Sequence, residues 1–148
     1  MAVQELIQPI RNLSKLSELK NDQLLEIAEK AGKYFSEKKD LRDKNVVDVT
    51  STKIRKFQSQ IVQCFYRSKI DSSFDPSDIK LLKYHLAYAA AREAGNRKFL
   101  DFKNFFDAAL DKIRDKADID RLRQLYDATL SYHAFFAAHP EKNEGVGM

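Results

Sequence analysis

Within Val49–Ile70 (VTSTKIRKFQSQIVQCFYRSKI) the apolar residues Ile54, Phe57, Ile61, Cys64 and Phe65 fall at helical spacing. The stretch therefore presents one buried face and is predicted as a helix. It carries five cations (Lys53, Arg55, Lys56, Arg67 and Lys69) and no acid, where the chain's 22 acids in 148 residues would place about three. Stepping 100° per residue puts Lys53, Lys56, Gln60, Gln63 and Arg67 on a second face, as one stripe of hydrogen-bond donors. Thr50 suits the N-cap. Lys53 then lies in the first turn, where the helix dipole disfavours a cation by a few tenths of a kcal/mol and the free amides favour an anion. A phosphate contact accounts for a lysine there. From this helix alone, a solvated face that lacks acids by chance accounts for it equally well.

Charge along the chain shifts the balance. Ile79–Arg92 is a second acid-free run, with Lys80, Lys83, His85 and Arg92. Between Val49 and Gly95 eight Lys/Arg face four acids (Asp71, Asp75, Asp78 and Glu93), and the remaining 18 cations and 18 acids cancel. The whole formal charge of +4 thus sits on two consecutive segments. A local patch, more than the total, sets the field that a polyanion meets, and it favours a nucleic-acid surface.

Few helix breakers interrupt the chain. It has four glycines and three prolines, and Gly145 and Gly147 fall in the last few residues. The fold class expected is all-α: a single-domain bundle of about five helices over residues 1–148, with no sheet. Residues 1–20 are read as an N-terminal arm and 139–148 as a disordered tail. No window reaches the roughly 18 unbroken apolar residues of a membrane span, and MAVQELIQPI lacks the cationic leader of a signal peptide. Cys64 has no partner for an internal disulfide, which favours a cytoplasmic setting.

In the arm, Pro9 interrupts a segment containing Leu6, Ile7, Ile10, Leu13 and Leu16, so a helical turn packing on the chain or a neighbour is expected. The first helix starts at Asn21 or Asp22 and runs to about Lys38, burying Leu24, Ile27, Ala28, Ala31, Tyr34 and Phe35. Lys38–Asp48 is a charged connection long enough for a crossover or for exchange of the first helix between protomers. After the basic helix, Asp75 as cap and Pro76 at the first position open a third helix ending near Gly95. Apolar and small residues almost surround it, the pattern of a central helix. A fourth helix over about 97–115 buries Phe99, Phe102, Phe106, Ala109, Leu110 and Ile113, with Asp101, Lys103, Asp107, Asp111 and Lys112 as a solvated face. A fifth, from Asp118 to before Pro140, carries Ile119, Leu122, Leu125, Tyr126, Tyr132, Phe135 and Phe136.

No histidine among His85, His133 and His139 has a second ligand at metal-binding spacing, and one cysteine cannot build a zinc site. There is no Walker loop and no dinucleotide fingerprint. No catalytic residue, metal or cofactor is expected. Weak ribonuclease activity through His85 with Lys80 or Lys83 is the enzymatic alternative. His133 is expected to be hydrogen-bonded inside the bundle. Tyr66, Tyr84 and Tyr88 adjoin the basic segments, where they can stack unpaired bases or pack on neighbouring helices.

The order of KIRKF (Lys53–Phe57), LLKYHLAYAAARE (Leu81–Glu93), FKNFFDAALDKI (Phe102–Ile113) and LYDATLSYHAFF (Leu125–Phe136) resembles the small subunit of type III-A CRISPR effector complexes. Order and spacing carry the resemblance, which spans roughly 50–136; Tyr84–His85 and Ala91 depart from the family pattern. It implies a five-helix protein without nuclease activity, several copies of which line up beside the subunits that hold the guide RNA. Together they would form the channel for target RNA, with Lys53, Arg55, Lys56 and Arg92 facing RNA.

The expected function is therefore RNA binding within a CRISPR ribonucleoprotein. Lys53, Lys56, Arg67, Lys83 and Arg92 would contact phosphates, with Gln60 and Gln63 as uncharged donors and Arg55 on RNA or a neighbouring subunit. Partners would be guide or target RNA, backbone and other subunits, and further copies of the chain, with no membrane. The other alternative is a structural homo-oligomer whose basic stripe meets Asp101, Asp107 and Asp111 on another copy.

Overall fold

The computed structural model describes residues 2–40, 43–47 and 49–139. Among them are six α-helices: α1 (Val3–Arg11), α2 (Asn21–Ser36), α3 (Ser51–Ile70), α4 (Leu82–Arg92), α5 (Arg97–Leu110) and α6 (Lys116–Ala138). Single 3-10 segments occupy Leu16–Glu18 and Pro76–Leu81. Among the described residues the core comes from these helices and from segments between them, including Leu16, Leu19, Val49, Phe74, Ile79 and Ile113. The connection between α2 and α3 is an antiparallel hairpin of β1 (Lys38–Asp40) and β2 (Asp43–Val47), paired Lys38 to Val47 and Asp40 to Asp43. The expected absence of a sheet therefore holds for the core and not for this two-strand ladder. Residues 140–148, expected to form a tail, lie outside the described residues.

The long helix α6 is the axis of the packing. It buries Ile119, Leu122, Leu125, Tyr126, Thr129, His133 and Phe136, against α2 along most of its length and against α3. α2 contributes Leu24, Ile27, Ala28, Ala31 and Phe35. Gly32 lets these helices meet: a Cβ there would stand 2.5 Å from Tyr132 Cβ and 2.6 Å from the His133 backbone nitrogen. α5 drives an aromatic wedge into the same core. Phe102 sits edge-on to Phe35 at 5.3 Å and to Tyr126 at 6.1 Å between ring centres.

Two elements depart from the sequence expectation. The N-terminal segment is a sixth helix, α1, with Pro9 inside it. A helix-interior proline costs about 3 kcal/mol, but Leu6, Ile7 and Ile10 are fully buried, and each such side chain contributes roughly 1.5–3 kcal/mol. Their partner is α5 of the same chain. α2, in turn, reaches the other side of α5 through Tyr34. The face read as solvated is partly covered: Asp101 is 5% exposed and accepts the Tyr34 hydroxyl at 2.6 Å. Burial first, and the Asp101 carboxylate second, push the Tyr34 phenol well up from its ordinary value.

The second departure is α4. Its apolar composition marks it as central, yet it buries only Leu82 and Leu86, and it packs chiefly on α5. Asp75 caps the preceding segment as expected, its Oδ1 accepting the Ser77 amide at 2.9 Å, but the first turns are 3-10. Alanine and tyrosine raise the apolar count without needing a partner on every side. Leu81, Tyr84 and Tyr88 are left 59%, 59% and 64% exposed. Gly95, at φ +93°, turns the chain from α4 towards α5 in a conformation L side chains rarely adopt.

Asp118 ties the N-terminal segment to the start of α6. Its buried carboxylate accepts the amides of Ser17 and Arg114 at 2.7 Å each and of Asp115 at 2.9 Å. Burial alone would raise this carboxyl, but the backbone amides of Asp115, Ser17 and Arg114 outweigh it and hold the carboxyl below its ordinary value.

Candidate nucleic-acid interface

The start of α3 is fixed from two directions. Thr50 Oγ1 accepts the Lys53 amide at 3.3 Å, the cap expected from the sequence. The carbonyl of Val49, one residue earlier, lies 2.6 Å from Nε2 of His133 on α6. A carbonyl can only accept, so that nitrogen carries the proton. His133 is 1% exposed, and burial pulls its pKa down while the Val49 and Phe35 carbonyls oppose the shift. The neutral imidazole is thus an interior strut, as expected. Along α3, Ile54, Phe57, Ile61 and Phe65 are buried, and Gln58 donates to Asp127 of α6 at 2.9 Å. The Tyr126 hydroxyl donates to the Ile54 carbonyl.

With those sides of α3 committed to the core and to α6, a third side faces α4 across an open cleft of about 210 Å³. Lys53, Lys56 and Gln60 form its α3 wall; His85, Tyr88 and Arg92 form its α4 wall. Phe57, Ala89 and Phe99 also line it. A second cleft of about 360 Å³ runs on between Gln63 and Arg67 of α3 and Leu81 and His85 of the next segment. Gln60 and His85 line both, so the two form one continuous furrow. Its charged lining is Lys53, Lys56, Arg67 and Arg92 against Glu93 and Asp78.

The furrow gathers Lys53, Lys56, Gln60, Arg67 and Arg92. It does not gather Arg55, which is exposed on α3 and lines neither cleft. Lys83 also lies elsewhere, ion-paired to Asp111 just beyond α5. Arg67 rests over the Phe74 ring at 4.9 Å and Arg92 over Tyr88 at 5.8 Å. Lys53 is half-buried and ion-paired to Glu93. That acid carried no signal in the sequence beyond standing at the edge of an acid-poor run. Among the described residues no group of three or more His, Cys, Asp and Glu is placed to hold a metal ion, and no helix is long and apolar enough to cross a membrane.

A cationic furrow of this form can hold an extended polyanion. Side-chain ammonium and guanidinium groups take phosphate oxygens, and glutamine adds neutral donors. Residues 18–139 match the family model described as Csm2 Type III-A, and the chain belongs to that family, the small subunit of type III-A CRISPR–Cas complexes. The matched residues contain the whole furrow and leave α1 outside. Neither the curated proteins nor the solved structures contain a match.

Proposed function

We propose that this chain, a structural subunit of a type III-A CRISPR effector, holds RNA by its phosphates along the α3–α4 furrow and takes no catalytic part. One observation carries the proposal: the two acid-free segments, separate in sequence, line a single furrow. Lys56, Arg67 and Arg92 supply exposed cations, Lys53 a cation shared with Glu93, and Gln60 a neutral donor. Lys83 and Arg55 lie off the path and face other subunits or more distant parts of the strand. The strand is guide or target RNA of the effector, in the cytoplasm, and the neighbours are its backbone subunits and further copies of this chain.

The purely structural alternative needs Asp101, Asp107 and Asp111 free to meet a basic stripe on another copy. Each is engaged within the chain: Asp101 with Tyr34, Asp107 with Lys103 and Asp111 with Lys83. Measuring RNA affinity across a salt series, with and without the furrow cations, tests the proposal. Phosphate contacts require steep salt dependence and little sequence preference.

A further inference from the structure

We infer that Tyr88 is a stacking platform for an unpaired nucleobase, so the furrow takes a single-stranded stretch of RNA in preference to a duplex. This rests on the phosphate-binding reading of the same furrow and adds what the strand must look like. α4 packs on α5 through Leu82 and Leu86, and no packing demand explains Tyr88, which is 64% exposed yet forms part of the cleft wall. Single exposed aromatics are ordinary on a protein surface. Here the ring stands among cations: Lys56 lines the same cleft, and the Arg92 guanidinium lies 5.8 Å from the ring centre. A protein partner would meet an exposed aromatic surface equally well, but the charge around this one favours a polyanion.

Stacking on an aromatic ring beside backbone-neutralising cations is how unpaired strands are held without sequence readout. In an A-form duplex the bases are stacked inside, and the outer surface offers phosphates and 2′-hydroxyls. A duplex could use Lys56 and Arg92 but would leave the Tyr88 ring without a base to cover it.

The test uses the full chain with fluorescein-labelled 12-residue oligoadenylate RNA and an abasic strand of the same length, at one low salt concentration. Stacking of one base is expected to make the wild type bind oligoadenylate roughly tenfold tighter than the abasic strand. Tyr88→Leu should erase that preference. Tyr88→Phe, which keeps the ring, should retain the preference. Tyr66→Leu should retain it too, because Tyr66 is 60% exposed on α3 but lines neither cleft. The inference is overturned if Tyr88→Leu weakens both strands equally or weakens neither. A wild type that binds both strands alike, with a normal salt dependence, overturns stacking and leaves the phosphate reading standing. A wild type that binds neither strand overturns both. If Tyr88→Leu alters the sedimentation mass and not the RNA preference, the ring belongs to a protein interface and the inference fails.

Discussion

Lys53 on α3 is ion-paired to Glu93, the residue that ends α4, across the furrow that collects the chain's excess positive charge. Under the proposed function, a phosphate would compete with Glu93 for this ammonium. Both side chains are partly exposed, which limits such a pair to about 0.2–1 kcal/mol. Glu93→Gln is therefore expected to strengthen binding of single-stranded RNA at low salt by roughly 1.4- to fivefold. Equilibrium titration of the two proteins side by side checks this. An unchanged or weaker affinity would mean that Lys53 is a structural tie and not an RNA contact.

The close approach of α2 and α6 at Gly32 makes a prediction about the core. Alanine gains about 1 kcal/mol over glycine in a helix interior. At position 32, however, its methyl would meet backbone and Cβ atoms of Tyr132 and His133 at 2.5–2.8 Å. Forcing a methyl into packed backbone costs roughly 1–3 kcal/mol or more. Gly32→Ala should thus lower the midpoint of thermal unfolding despite its better propensity. A raised midpoint would show that the two helices separate without loss.

His133 sets a pH limb on stability. Burial holds its folded-state pKa below that of the free imidazole. The unfolded chain then binds a proton that the folded chain refuses, starting near about pH 6.5 and continuing down to the folded pKa. Stability at neutral pH is complete, and it declines as the pH falls through that window. His133→Gln keeps a neutral donor able to reach the Val49 carbonyl and has no proton to gain. Denaturant midpoints at pH 7.5 and 5.5 should therefore differ more for the wild type than for His133→Gln. Equal pH dependence in both proteins would remove His133 from this role.

The sequence foretold the buried stripes of α2, α3 and α5 and most of that of α6, because periodicity reports stripes; it misread the Asp101 side of α5, which Tyr34 covers, and Phe135 of α6, which is 46% exposed. It misjudged α4 because periodicity reports apolar content and not whether a partner exists to cover it; Tyr84 and Tyr88 stay in the open. It undervalued α1 because the penalty at Pro9 is local, whereas the burial of Leu6, Ile7 and Ile10 depends on α5, about 90 residues away. The β1–β2 hairpin sits in a charged stretch without strand alternation. For the furrow, charge clustering pointed to α3 and α4. Pairing of Lys53 with Glu93, and the diversion of Lys83 to Asp111, are tertiary facts that no local pattern carries.

RNA phosphates held by the furrow cations would show in the salt dependence of binding. Each phosphate neutralised on a single strand adds roughly 0.7 to the magnitude of the log–log salt slope, so contacts from Lys53, Lys56, Arg67 and Arg92 give about −3. The most direct measurement is the affinity of the full chain for single-stranded RNA of two unrelated sequences across a salt series. Wild type, the triple variant Lys53→Ala, Lys56→Ala, Arg67→Ala and the control Lys112→Ala are compared, with circular dichroism confirming the fold. The triple variant should stay helical, since these side chains lie off the buried stripe of Ile54, Phe57, Ile61 and Phe65. Its slope should fall to about −0.7, equally for both sequences, while Lys112→Ala matches the wild type. A folded triple variant that keeps the wild-type affinity and slope would contradict the account.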